Sequence, residues 1–335
     1  MIEIVVFGSQ PYDEHFFNLM NVEKKFGFSF KFLKENLTET TASLAKGYEV
    51  VCAFVNDTIN DKVIHTLYNN GTRLLALRCA GFNNVDLKAA EGKIQVVRVP
   101  AYSPYAVAEY ALGLMLASNR HICQARQRTR EGNFSLNGLM GFDMHEKTIG
   151  VIGTGKIAKI LIQLLSGFNV HILAYDIYPD ENFAQKWGVK YTTQDEIFKH
   201  SDIITLHCPL TPESYHMINA EAIAKMKPGV MLINTGRGPL IDTNALIEGL
   251  KNHTIGSAAL DVYEKEGDYF YTDHSLEAME DDNLARLLSF NNVIISSHQA
   301  FFTHEALTNI ATTTLENIRA YKEHQPLINE VKVGM

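Results

Sequence analysis

Residues 147–158 read Lys-Thr-Ile-Gly-Val-Ile-Gly-Thr-Gly-Lys-Ile-Ala, a β-branched run that breaks at Gly153-Thr154-Gly155-Lys156-Ile157-Ala158. Apolar residues at helical spacing follow it. Strand, glycine turn and helix in that order are the context a dinucleotide-binding G-x-G-x-x-A turn demands. Gly153 is expected to make the tight turn, Gly155 to admit a pyrophosphate to the backbone, and Ala158 to let the helix lie close to the sheet. Free N–H groups and the dipole at the helix N-terminus favour an anion there. The next apolar run ends in Asp176, 21 residues after Gly155. A carboxylate at about that spacing binds ribose hydroxyls and repels a 2′-phosphate. Asp180 and Glu181 follow with no arginine nearby. NAD(H) is therefore expected over NADP(H).

A second constellation lies further on. Val230-Met231-Leu232-Ile233 looks like a buried strand, and it stops at Asn234-Thr235-Gly236-Arg237-Gly238. A guanidinium is permanently charged and costly to bury unpaired. At a strand end it is placed to grip a substrate carboxylate with two parallel hydrogen bonds, which lysine cannot imitate. The flanking glycines are expected to allow close backbone approach to a ligand. The competing reading is an arginine paired with a structural carboxylate. Reduction of a carbonyl by hydride leaves charge on oxygen, which a proton donor must meet. Histidine suits that task near neutral pH. Two histidines end strand-like runs, His298 after Val-Ile-Ile-Ser-Ser and His207 after Ile-Ile-Thr-Leu. His298 is favoured because His207 lies beside Pro209 in a cofactor-side loop. The acidic segment 261–268 can also supply His298 with a carboxylate that favours the protonated ring and orients it.

These groups need a scaffold with several strand ends on one edge. Short β-branched runs alternate with amphipathic stretches in two series, five runs before residue 100 and six after residue 146. Strands buried on both faces and alternating with helices predict parallel βαβ sheets. The expectation is two doubly wound α/β domains, in keeping with a length of 335 residues. Ser103-Pro104 reads as the start of a buried helix at the junction, and the final amphipathic helix is expected to pack back on the first domain. Apolar residues make up 46% of the chain, so a well-filled core is expected. The formal charge of −8 argues against nucleic acid and anionic membrane as partners. Cys52, Cys79, Cys123 and Cys208 are expected to be reduced core residues, and no His/Cys spacing suggests a metal. The N-terminus lacks a basic leader and no run is long enough to span a bilayer, so a cytoplasmic location is expected.

Taken together, residues 77–87, 97–116, 150–158, 201–219, 232–250, 259–266 and 296–301 resemble the D-isomer-specific 2-hydroxyacid dehydrogenases, most nearly the bacterial fermentative D-lactate dehydrogenases. The resemblance spans essentially the whole chain. It implies a flavodoxin-like substrate domain formed by residues 1–101 and 299–335, a Rossmann NAD-binding domain over 102–298, and a cleft that closes by hinge motion. It also implies that Arg237 binds the substrate carboxylate, His298 is the acid/base and Glu266 is its partner, although Glu264 is the acid nearer Asp261. Backbone N–H groups around Ala80 and Gly81 would hold the carboxylate, and Tyr102 and Phe301 would line a small pocket; both aromatics also read as plain core residues. Asp261 would contact the nicotinamide carboxamide, with Cys208, Pro209, Thr235 and Gly236 along the cofactor. The implied activity is NADH-dependent reduction of pyruvate to D-lactate by a homodimer or homotetramer. Bulkier 2-keto acids are the alternative substrates, and an NADH-sensing corepressor scaffold is the remote alternative.

Overall fold

Both series of apolar runs form parallel sheets in the computed structural model, which describes residues 2–334. The chain divides into two units, Met1–Ser103 with Phe302–Met335, and Pro104–Phe301. The divisions fall two and three residues beyond the expected borders, for local reasons. Tyr102 stays with the first unit because Asn309 donates to its carbonyl at 2.7 Å. Gln299 and Ala300 stay with the second because their N–H groups donate to Asp261 at 2.9 and 2.8 Å.

In the first unit, β1 (Glu3–Val6), β2 (Ser29–Phe32), β3 (Val50–Ala53), β4 (Leu74–Leu77) and β5 (Gln95–Val97) lie in the order β2-β1-β3-β4-β5. All pairings are parallel. This is the flavodoxin-like winding. β3 and β4 are buried at every residue, as strands covered by helices on both faces must be. The last helix, His304–Lys322, is capped by the Thr303 side chain and packs against the helix Pro11–Glu23.

The second unit holds β6 (Thr148–Ile152), β7 (His171–Tyr175), β8 (Val189–Tyr191), β9 (Ile203–Leu206), β10 (Val230–Asn234), β11 (Ile255–Leu260) and β12 (Val293–Ile295). Their order is β12-β11-β10-β9-β6-β7-β8, again all parallel. The strand order reverses between β6 and β9, and in such sheets ligands bind beyond the strand ends at that switch point. The helix Lys156–Leu165 buries Ala158, Leu161, Ile162 and Leu165, one face at helical spacing. The junction helix Pro104–Asn119 starts on its proline and joins that core through Ala108, Ala111 and Met115. Two expectations need correction. β8 is an additional edge strand, and Cys123 is exposed on the helix Ile122–Arg130, which buries no residue. Among the described residues no helix is long and apolar enough to cross a membrane.

Candidate active site

The phosphate turn follows β6 directly. Gly153 has φ +88°, and a Cβ there would come within 2.6 Å of the Cys208 backbone nitrogen, so a larger residue is excluded twice over. At Gly155, the N-cap of the helix, an added Cβ would meet nothing within 4 Å. Space is therefore left in front of the exposed first-turn N–H groups of Lys156 and Ile157. Asp176, the residue after β7, lines the same groove with Cys208, Pro209 and Met217. Burial alone would raise its carboxyl, but N–H donors from Thr154 (2.6 Å) and Tyr178 (2.9 Å) hold it below the usual carboxylate range. The Thr154 hydroxyl bonds both Asp176 and Tyr191. Those two supports escaped the sequence because a G-x-G-x-x-A reading assigns no role to the middle residue. The Cys208 thiol donates to Met217 Sδ at 3.6 Å, and burial pushes it up to about 11. Thr235 is buried with its hydroxyl unpartnered among the described residues. An orphaned buried hydroxyl, an open helix N-terminus and a fixed carboxylate fit a dinucleotide.

Arg237 stands three residues beyond β10. Asn234, fully buried at the strand end, accepts from Gly236 N–H at 3.0 Å and donates to the Arg237 carbonyl at 2.9 Å, which pins the turn. The guanidinium is half-buried and donates to the Gly236 carbonyl at 2.8 Å. Among the described residues no carboxylate pairs with it. The flanking glycines differ from expectation. A Cβ at Gly236 would meet only ordinary contacts, the nearest at 3.4 Å, whereas one at Gly238 would come within 2.0 Å of the Tyr263 carbonyl oxygen. Gly238 is required by the chain's own backbone.

That backbone carries the acid. Glu266 Oε1 lies 2.9 Å from His298 Nδ1, and Oε2 accepts the Tyr263 N–H at 3.2 Å. Glu264 is committed elsewhere, to His216 at 2.7 Å and to the Thr243 hydroxyl at 2.6 Å. His298 adopts φ +52°, its side chain 17% exposed. Its N–H donates to the Asp261 carbonyl (2.7 Å), and the Asp261 N–H donates to Asn234 (2.9 Å), so the ends of β10, β11 and β12 are joined in sequence. The Asp261 side chain is fully buried and accepts from Ser296, Gln299 and Ala300 at 2.7–2.9 Å. Burial raises its carboxyl against those donors. It holds the loop that presents His298. His207, bonded to the Thr205 hydroxyl at 2.8 Å, is pushed down to about 4 by desolvation. In the first unit, Ala80 and Gly81 follow β4 and are half-buried, Tyr102 is half-buried, and Phe301, at the end of the second unit, is buried.

A carboxylate-held imidazole and a guanidinium with no carboxylate partner among the described residues, both after strands of the sheet that carries the dinucleotide turn, suit hydride reduction of a carbonyl next to a carboxylate. Known proteins resemble the chain over nearly all of its length. Residues 112–300 match the family described as D-isomer specific 2-hydroxyacid dehydrogenase, NAD binding domain. A 2-hydroxyacid dehydrogenase homolog of Haemophilus influenzae is 52% identical, covering 96% of both chains. The apo-structure of D-lactate dehydrogenase from Escherichia coli superposes with a TM-score of 0.90 at 47% identity, covering 98% of this chain and 100% of that one. The structure described as the pyruvate reductase of Chlamydomonas reinhardtii gives a TM-score of 0.92 at 43% identity, covering 98% of each. This chain belongs to the D-isomer-specific 2-hydroxyacid dehydrogenase family.

Proposed function

We propose that this protein reduces pyruvate to D-lactate with NADH, reversibly. The observation that carries the reading is the His298–Glu266 pair at 2.9 Å on the same sheet edge as an arginine with no carboxylate partner among the described residues. Arg237 grips the substrate carboxylate, and in the first unit the Ala80 and Gly81 N–H groups are donors for a keto-acid carboxylate. Tyr102 and Phe301 bound the small side of the substrate. Glu266 takes the Nδ1 proton of His298 into its hydrogen bond, which leaves Nε2 to deliver a proton to the carbonyl oxygen and recover it in reverse. The carboxylate also offsets the charge of the imidazolium. NADH, when bound, supplies the hydride; residues 153–157, Asp176, Cys208, Pro209, Thr235 and Gly236 would hold it, with Asp261 behind the loop at 296–300. Asp176 repels a 2′-phosphate, and the nearby Lys159 is already paired with Asp180, so NADH is preferred to NADPH. We place the enzyme in the cytoplasm as a homodimer or homotetramer.

The test is NADH and NADPH oxidation with pyruvate, 2-ketobutyrate, 2-ketoisocaproate and phenylpyruvate, followed by chiral analysis of the product. Pyruvate is expected to give the highest kcat/KM, with D-lactate formed. One methylene in such a pocket is worth about 1–3 kcal/mol, so a preference for phenylpyruvate would reassign the substrate to bulkier keto acids. An L-product would overturn the reading.

A further inference from the structure

Among the described residues the Ala80 and Gly81 amides belong to no strand or helix ladder, yet the carbonyls of Cys79 and Ala80 are held firmly. The Cys79 carbonyl accepts the Val99 N–H at 3.1 Å, and the Ala80 carbonyl accepts Arg98 Nη1 at 2.7 Å. Every peptide bond among the described residues is trans, and in a trans peptide the N–H points opposite to the preceding C=O. Each of the two amides is thereby turned away from the group that holds its carbonyl. Among the described residues of this unit neither the Ala80 nor the Gly81 N–H donates a hydrogen bond. The Cys79 thiol closes the turn onto the Gly81 carbonyl at 3.3 Å.

Arg98 is itself clamped. Its guanidinium lies over the Phe82 ring, 5.0 Å from the centroid. Its N–H donates to the Asn329 carbonyl at 3.1 Å, its carbonyl accepts Asn317 Nδ2 at 2.9 Å, and Asn329 Nδ2 donates to Asn317 Oδ1 at 2.8 Å. The last helix and the segment after it therefore seat the arginine. A full positive charge on a peptide oxygen also polarises the attached N–H, which strengthens it as a donor to an anion.

We propose that Arg98 is a positioning residue for substrate binding, which aims and polarises the Gly81 amide toward the carboxylate without touching the substrate. The inference rests on the reading that this amide serves the keto-acid carboxylate. Its loss removes binding common to ground and transition states, so KM for the keto acid rises while kcat changes little.

Steady-state kinetics of Arg98→Met, Arg98→Lys and Phe82→Leu test it, with cooperative thermal melts as the check on folding. Arg98→Met is expected to raise KM for pyruvate about tenfold or more, the loss of a charge-assisted hydrogen bond. Its KM for NADH should stay within about twofold of wild type and kcat within about threefold. Arg98→Lys should recover part of the loss, because an ammonium still donates to the carbonyl. If Arg98→Met does not fold, Arg98→Lys and Phe82→Leu decide, each raising the pyruvate KM more than the NADH KM. An unmoved pyruvate KM in a folded variant, or parallel rises for both substrates, overturns the assignment. Wild-type protein inactive on every 2-keto acid overturns the function and this inference together, whereas active wild type with an unmoved variant overturns the inference alone.

Discussion

Two histidines follow strands of the same sheet, and their surroundings give them opposite capacities. His298 holds a carboxylate at Nδ1 through Glu266, which fixes the ring and leaves Nε2 to exchange a proton. The His207 ring bonds a threonine hydroxyl and, among the described residues, no carboxylate, and desolvation keeps it neutral down to about pH 4. His298→Ala is accordingly expected to cut kcat by about two to four orders of magnitude with NADH binding intact by fluorescence titration, while His207→Gln retains turnover; the reverse result would hand the acid role to His207. The same contrast has a stability consequence. Unfolded, His207 takes a proton near its ordinary value of 6.5; folded, only near 4. Between those values the unfolded chain binds more protons, so stability rises with pH through that window and levels off above it. Allowing for partial exposure, wild type should lose on the order of 2 kcal/mol more than His207→Gln between pH 6.5 and 4. Urea unfolding at both ends of the window measures the difference.

A short turn after one strand can govern an acid carried after the next. Gly238 follows β10 and abuts the Tyr263 carbonyl, three residues before Glu266. Gly238→Ala must push the segment 263–266 outward, and about 1 Å of misplacement at a catalytic group costs on the order of a hundredfold in rate. We expect kcat to fall by about that factor while the NADH dissociation constant is unchanged; normal turnover would mean the segment has another place to go. The sequence displayed the glycine turn, Asp176, and the strand-end arginine and histidine, because each is set by local pattern. Local pattern alone left Glu264 and Glu266 equivalent, and only the family resemblance singled out Glu266, since two acids two residues apart differ only in what reaches them. His216 and Thr243, far away in sequence, claim Glu264, and only the fold brings them there. β8 escaped because three residues carry no usable period, although its Tyr191 anchors the Thr154 hydroxyl. Gly238 looked like an opening for a ligand because spacing does not reveal which backbone presses on a glycine.

On the scale of the whole molecule, one surface of the second unit is unlike the rest. The helix Ile122–Arg130 buries none of its residues, and the loop after it exposes Phe134, Leu136 and Met140 at 77, 82 and 90%. Burying one such side chain is worth about 1.5–3 kcal/mol, so three left in water are costly unless something covers them. A second copy of this chain is the occupant consistent with the proposed homo-oligomer, and the net charge of −8 does not forbid a local apolar contact at physiological salt, where repulsion between exposed charges is screened beyond about 8 Å. Replacing Phe134, Leu136 and Met140 together by serine should therefore weaken self-association, with little effect on the folded core because none of the three belongs to it. Sedimentation velocity at micromolar concentration is expected to show wild type as a dimer or larger and the triple variant shifted toward monomer. Wild type sedimenting as a monomer, or a variant with unchanged mass, would move the interface elsewhere and leave these side chains to another partner.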